Sequence, residues 1–426
     1  MSAHVIIVGA GFGGVYTARK LLPLVRSKHI KLTIINRTNY FVFTPLLHEV
    51  ATGGLSPYSV VEPLRTIFAG EDVHIVETEV AGVNSIAKVV ETRIGNFSYD
   101  YCVVSVGAET QFYGTPGAEQ FGLTLKGLED AINIRSAIID QCEKAAQSHN
   151  HASRAAHLSF AIIGGGPTGV EMAGELSDFV RETLCAYYKN TGIAKDQVTI
   201  SLVSAAPDLL AQCALSVRKA ALLRLQDKGV KVYLGTTVTN VTHDHVEFGN
   251  GTAIHSAVTL WVAGVKPVKM HIEGAQFAKS GRILIKPTLE VEGIYDIFAL
   301  GDVAGTEKPD PMMAQVAVRQ AATIAYNIKD LVMKNAHTLH PDMRKTLKTD
   351  FKDFKFSSPG VLVSLGTYEA VGQIMGITIS GFIAWIIWRT VYLFKFASLR
   401  KRLRIGAEWA LDFLYPRDIT RVRMTR

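Results

Sequence analysis

Two short stretches carry glycines at a spacing suited to holding a diphosphate. Gly9, Gly11 and Gly14 fall in VIIVGAGFGGVYTARKL (Val5–Leu21), and Gly164, Gly166 and Gly169 fall in AIIGGGPTGVEMAGEL (Ala161–Leu176). In each, an apolar run ends in GxGxxG and a helix-forming sequence follows. The first glycine allows a tight turn, the second lets the backbone approach a pyrophosphate, and the third lets helix and strand pack closely. Free N–H groups and the positive end of the helix then hold the diphosphate. One such turn is a weak signal. Two turns about 150 residues apart, each in a strand–turn–helix setting, predict two nucleotides, one held permanently and one visiting. A third stretch, IYDIFALGDVAG (Ile294–Gly305), puts Asp302 at a predicted strand end beside a glycine.

The elements that must position these turns are legible as βαβ units. Val5–Val8 is a continuous apolar run, as in a strand buried on both faces. A helix follows from Gly13, then a strand at Leu32–Ile35, an order that implies a parallel sheet. Asn39–Pro63 is aromatic, glycine-containing and irregular, and a loop of that length inside a compact domain is usually functional. Glu119–Gln147 reads as helix and Ser148–Ser153 as a polar link. A second βαβ unit starts at Leu158, runs through a long helix in the Val170–Tyr188 region and reaches a strand at Val198–Val203. His337–Lys355 reads as a polar, basic link.

With 426 residues, 48% of them hydrophobic, the chain is long enough for two or three domains. Its mean hydropathy of +0.18 leans apolar. The net charge is +7. From Arg389 onward ten Lys/Arg face three acids, so this tail alone carries that charge and the remainder is neutral. A basic patch meets nucleic acid or anionic lipid, and the neighbouring aromatic and aliphatic run favours lipid over nucleic acid. Cys102, Cys142, Cys185 and Cys213 form no CxxC or CxxxxC pair, which argues against a thiol–disulfide enzyme, a cysteine-rich metal site and a disulfide framework. No secretory signal is expected.

Taken together, these segments resemble the type II NADH:quinone oxidoreductases, non-proton-pumping flavoenzymes of the two-dinucleotide-binding group. The resemblance covers nearly the whole chain. It is carried by NYFVFTPLLHEVATGGLSP (Asn39–Pro57), SVGAETQFYGTPGAEQF (Ser105–Phe121), the second turn with Val170 and Glu171, LWVAGVKP (Leu260–Pro267), ALGDVAG, AQVAVRQ (Ala314–Gln320) and the C-terminal GFIAWIIWRTVYLFKF. It implies an α/β fold with two Rossmann-like domains, one for FAD and one for NADH, and a C-terminal helical membrane-binding segment. The expected boundaries are 1–120 and 265–345 for the FAD domain, 121–264 for the NADH domain and 346–426 for a membrane-anchoring and dimerisation region. It also implies noncovalent FAD, a membrane quinone as acceptor, a homodimer on the cytoplasmic face of the cell membrane, and no metal.

Carried over residue by residue, the resemblance assigns the FAD diphosphate to Gly9, Gly11 and Gly14. Asn36 stands where many relatives have an acid for the adenosine ribose, with Arg37 beside it. Val80 would meet the adenine, Thr44 and Pro45 the isoalloxazine, and Gly107 and Asp302 the diphosphate and ribityl chain; Asp302 also reads as an ordinary helix N-cap. Gly164, Gly166 and Gly169 would cradle NADH, with Gly264 and Ser204 nearby. Ser204 replaces the acid of NADH-specific relatives and would not repel a 2′-phosphate, but no Arg follows closely in AAPDLL to attract one, so NADH is favoured and NADPH stays open. Glu171 would act as charge partner or proton relay. Gln315 belongs to the family's AQxAxQ quinone motif, in which Arg319 here takes the second glutamine's place and Gln320 follows it.

The uncharged run Ile374–Trp388 spans about fifteen residues, short of the roughly twenty that a spanning helix needs. Tryptophans and basic side chains suit the lipid interface, so one or two helices lying in the leaflet surface are expected. Two other readings stay open: a sulfide:quinone oxidoreductase-like flavoprotein, which would need redox cysteines beside the flavin, and a non-catalytic nucleotide-sensing membrane protein.

Overall fold

Alternation of buried apolar strands with amphipathic helices is what the chain adopts in the computed structural model, which describes residues 2–339, 343, 346–358, 360–396 and 398–421. By contacts the chain forms two compact units. One comprises Met1–Val42, Glu62–Glu109 and Lys266–Ser357; the other comprises Phe43–Val61, Thr110–Val265 and Ser358–Arg426. The irregular aromatic loop thus belongs to the second unit from Phe43 onward.

In the first unit five strands form a parallel sheet in the order Ile297–Ala299, Tyr101–Val104, Ala3–Val8, Ile30–Asn36, Val73–Glu77. The central strand pairs Val5 with both Leu32 and Tyr101, and its Val5, Ile6 and Ile7 are wholly buried. Each such side chain contributes about 1.5–3 kcal/mol by leaving water. Helix Phe12–Arg26 packs along helix Ala314–Met333, whose Val316, Ala317, Ala321, Ile324, Ile328 and Leu331 form a buried stripe at helical spacing.

The second unit repeats the plan, with parallel strands in the order Gly122–Leu123, Val258–Trp261, Ser159–Ile163, Thr199–Val203, Val230–Tyr233. Helix Pro167–Asp178 follows the strand Ser159–Ile163 and runs into a π-helical turn, Phe179–Leu184. This interruption makes the predicted long helix three pieces. The expected link at Ser148–Ser153 is partly helix, His151–His157, because the Asn150 side chain caps it by accepting the Ser153 N–H at 2.8 Å.

The run Ile374–Trp388 differs from the expected surface helix. Its first half closes an antiparallel sheet of Gly360–Ser364, Ala370–Ile374 and Ile377–Gly381, and the helix begins only at Phe382. The cause is local: Gly376 at φ +86° and Gly381 at φ +78° occupy the left-handed region, turning the chain on both sides of the last strand. Helices Phe382–Lys395 and Leu399–Leu411 complete the tail. Among the described residues no helix is long and apolar enough to cross a membrane. Arg423 and Arg426 lie outside the described residues.

Candidate functional site

The two glycine turns share their steric logic. At the first, Gly9 has φ +94°, and a Cβ there would lie 2.6 Å from the Ser105 carbonyl oxygen; at the second, Gly164 has φ +128°, and a Cβ would lie 2.7 Å from the Val262 carbonyl. A Cβ on Gly14 or Gly169 would fall 1.8 Å from the carbonyl oxygen of Gly9 or Gly164. The middle glycines differ: a Cβ on Gly11 or Gly166 meets no protein atom within 4 Å. Each cradle therefore has a glycine where packing does not demand one, at the N-terminus of helix Phe12–Arg26 or Pro167–Asp178. The need for close backbone approach by a ligand accounts for it, and the residues present fit a dinucleotide at each turn.

Around the first turn, Asn36 ends the strand Ile30–Asn36 and its Oδ1 accepts the Ala10 N–H at 2.9 Å, while its Nδ2 donates to the Thr38 carbonyl at 2.8 Å. The side chain braces the glycine turn itself, and its carbonyl oxygen keeps a second lone pair for a ribose hydroxyl. Arg37 is exposed and Val80 half-buried. Gly107, at φ +75°, faces open space. Gly301 and Asp302 line a cavity of about 410 Å³ together with Arg282, Val316 and Gln320. Gln320 is buried, and its Oε1 accepts the Gly301 N–H at 2.7 Å. It fixes the turn carrying Asp302, a role that the motif spacing did not single out. Gln315 is half-buried four positions before exposed Arg319, whose guanidinium donates to the Ser357 carbonyl at 2.5 Å and lies 5.9 Å from the Phe356 ring centre.

In the second unit, Ser204 is buried against the second turn: a Cβ on Gly165 would lie 2.5 Å from its Oγ. A Cβ on Gly264 would strike the Tyr113 hydroxyl at 2.2 Å. Thr44 is exposed and Pro45 half-buried at the start of the Phe43–Val61 excursion. All four cysteines are free and buried, and burial raises each thiol above its ordinary range. Such thiols are poor nucleophiles, which disfavours the sulfide-oxidising alternative.

Glu171 sits in a buried polar cluster that the sequence reading missed. Its Oε1 accepts the Ser364 N–H at 3.3 Å, its Oε2 lies 3.8 Å from His48 Nδ1, and burial pushes its carboxyl up to about 8. At neutral pH it is mostly a carboxylic acid. Glu49, pushed up to about 7 by burial, accepts the Trp409 Nε1–H at 2.7 Å. Burial opposes ionisation of Glu175 too, but the Arg417 guanidinium at 2.7 Å, with Arg389, holds it below the usual carboxylate range. His48 is pushed down to about 4 by burial and is neutral. Donor atoms of His48, Glu49 and Glu175 lie within 4.8 Å of one another, a spacing compatible with a metal. The Arg417 ion pair and the Trp409 hydrogen bond occupy the two carboxylates instead, and a second guanidinium, Arg389, stands close by. The legible signal was Glu171 and Glu175 at i, i+4 within the apolar VEMAGEL, where two acids must share one buried face.

Comparison with known proteins is consistent with this geometry. The pyridine nucleotide-disulphide oxidoreductase family profile matches residues 3–321, and the NDH2 C-terminal domain profile matches residues 359–418. The type II NADH:quinone oxidoreductase of Staphylococcus haemolyticus is 30% identical over 391 residues, covering 88% of this chain and 91% of that protein. The chain belongs to the type II NADH:quinone oxidoreductases. The family's Ndh protein from Mycobacterium tuberculosis is 29% identical over 97% of this chain and 89% of its own length. In fold, this family member is similar to NDH2 from Plasmodium falciparum in complex with NADH, at a TM-score of 0.88 and 19% identity over 99% of this chain and all of that one. A sulfide:quinone oxidoreductase from Aquifex aeolicus shares the fold more distantly, with a TM-score of 0.73 at 18% identity over 92% of this chain and 90% of that one.

Proposed function

We propose that this type II NADH:quinone oxidoreductase is an FAD-dependent enzyme that passes two electrons from NADH to a membrane quinone without pumping protons. The observation that carries the reading is the pair of equivalent glycine cradles, each with an open middle glycine, in a chain that belongs to this family. FAD, when bound, accepts a hydride and passes electrons onward two at a time. The chain's own residues bind and orient. Gly9, Gly11 and Gly14 hold the FAD diphosphate, with Asn36, Arg37 and Val80 toward the adenosine, Thr44 and Pro45 toward the isoalloxazine, and Gly107 and Asp302 toward the diphosphate and ribityl chain. Gly164, Gly166, Gly169, Ser204 and Gly264 receive NADH, and NADPH is the competitor to test. Glu171 holds a proton on its carboxyl, and Gln315, with Arg319, serves the quinone.

The domains follow: an FAD-binding domain from 1–120 and 265–345, an NADH-binding domain from 121–264, and a membrane-anchoring and dimerising region from 346–426. Membrane docking is supported by the tail helices, which leave Ile383, Phe394 and Leu403 each at least 65% exposed beside a basic surface. We place the enzyme as a homodimer on the cytoplasmic face of the membrane.

The test is anaerobic flavin absorbance of the detergent-solubilised protein. NADH should bleach it quickly, NADPH poorly, and a quinone should restore it. Gln315→Ala should slow restoration at least tenfold while bleaching persists. A yellow protein bleached by neither nucleotide would sink the reading.

A further inference from the structure

In the second unit, three imidazoles and a carboxylate gather outside every site described above. His243, Asp244 and His245 lie in VTHDHVEF, and His255 follows ten positions after His245. The stretch folds into an antiparallel sheet of Val238–Val241, His245–Phe248 and Ala253–His255. Side chains alternate along a strand. Val246 points inward and is wholly buried in a core with Ile163, Val203 and Trp261, so its neighbour His245 faces outward.

The register brings His255 to the same outer face. His245 and His255 are paired directly across the ladder, and their ring centres lie 5.1 Å apart at an interplanar angle of 73°. Two imidazoles bound to one tetrahedral ion at about 2.0–2.1 Å place their ring centres roughly 5 Å apart. The pair therefore already has the separation that a shared ion sets. Asp244 joins it: its Oδ1 lies 3.0 Å from His245 Nδ1 and 3.3 Å from His243 Nδ1. Adjacent donor atoms around such an ion are roughly 3.3 Å apart.

The turn is held by its own hydrogen bonds. The Thr242 N–H donates to the His245 carbonyl at 2.9 Å, and the His245 N–H donates to Thr242 Oγ1 at 3.0 Å. The Ser256 N–H donates to the Asp244 carbonyl at 2.8 Å, which pins His255 beside the acid. As cations these imidazoles would repel one another. Burial, and then His245, hold the His255 ring below its ordinary range; His157 and His243 act in the same direction and Asp244 opposes them. His255 Nδ1 is also buried without a hydrogen-bond partner among the described residues. A divalent ion relieves both penalties, because it takes neutral imidazoles and gives a bare nitrogen a partner.

His243 is the group that must move. Among the described residues only His48, Glu49 and Glu175 place three such donor atoms within 4.8 Å of one another, so the outer cluster is not yet closed. The His243 side chain is 79% exposed and turns in water. Three imidazole nitrogens and one carboxylate suit zinc and its neighbours, whereas magnesium and calcium take oxygen ligands.

We propose that His243, Asp244, His245 and His255 form a surface site for one divalent ion of the zinc class, which staples the turn at Thr242–His245 to the strand that ends at His255. The ion is structural. It takes no part in electron transfer, for which the family resemblance implies no metal, and the site does not depend on the quinone-reducing reading.

The experiment uses full-length, FAD-loaded protein freed of metal by a chelator. Equilibrium dialysis measures bound zinc, thermal unfolding is followed with and without it, and cobalt(II) in place of zinc gives a visible spectrum that reports tetrahedral coordination. Wild type should bind one zinc that excess magnesium does not displace, melt several degrees higher at saturating zinc and show the tetrahedral cobalt spectrum. Loss of an outer-shell partner alone weakens metal binding about 10- to 100-fold. His245→Ala and His255→Ala should therefore each weaken zinc binding at least about tenfold, abolish the cobalt spectrum and lose the zinc-dependent rise in melting temperature. If either variant does not fold, His243→Ala, at an exposed position, and Asp244→Asn carry the same expectation. Wild type that binds no zinc, or zinc affinity and cobalt spectrum unchanged in the variants that fold, would overturn the proposal, the second result by placing the ion elsewhere.

Discussion

Replacing Gly166 by alanine separates ligand recognition from folding at one atom. The new Cβ would meet no protein atom within 4 Å, and Gly166 has φ −78°, which any residue adopts. Alanine caps a helix less well than glycine, at a cost of about 0.5–1 kcal/mol, so the melting temperature should fall by only a few degrees. The methyl group instead fills the space where the diphosphate must approach the backbone. If the displaced diphosphate loses one charge-assisted hydrogen bond, about 1.5–3 kcal/mol is forfeited, equivalent to roughly 10- to 150-fold weaker NADH binding. Gly169→Ala is the control, because its Cβ would sit 1.8 Å from the Gly164 carbonyl oxygen. That clash forces helix and strand apart and should cost about 1–3 kcal/mol of stability or more. The assay is anaerobic NADH titration of flavin bleaching, with flavin content and thermal unfolding measured on the same samples. Wild-type NADH dependence in Gly166→Ala, or a loss of affinity that merely tracks a loss of stability, would refute the assignment of this turn to NADH.

Gln320→Ala should remove the partner of the half-buried Gly301 N–H, costing about 0.5–1.5 kcal/mol, and should lower the FAD retained through purification; full retention with unchanged melting would remove Gln320 from the support of Asp302. Glu171 binds its proton more tightly in the folded chain than in the unfolded one, with its carboxyl at about 8 against an ordinary 4.5. Its favourable contribution is therefore complete below about pH 4.5 and lost as pH rises through about 8, so Glu171→Gln should flatten the decline of thermal stability over that window by a few kcal/mol, and an unaltered slope would place the acid's titration elsewhere. Ile383→Glu with Phe394→Glu, both on exposed positions of the tail helix, should weaken sedimentation with anionic vesicles severalfold while NADH still bleaches the flavin; unchanged sedimentation would move the membrane contact off this helix.

Both glycine turns were legible because their signals are local. An apolar run that reads as a buried strand, three glycines at fixed offsets and a following helix need no knowledge of distant residues, and the parallel sheets on each side of Val5–Val8 and Phe160–Ile163 follow from that order. The basic, aromatic tail was equally open to reading, since composition alone suggests an interface with lipid. Its internal structure was less so: Ile374–Trp388 has one hydropathy, but Gly376 and Gly381 divide it into strand and helix. What only the tertiary structure decided is the chemistry of the buried acids. Glu49, Glu171, Arg389 and Arg417 come from distant parts of the sequence, and none has a distinctive local motif for its charge state. A carboxyl's protonation depends on how much water surrounds it and which charges stand within a few ångströms. Those are properties of the folded chain, created when Arg417, from the C-terminal segment, reaches Glu175 while Glu49 and Glu171 are buried with hydrogen bonds from Trp409 and the Ser364 backbone.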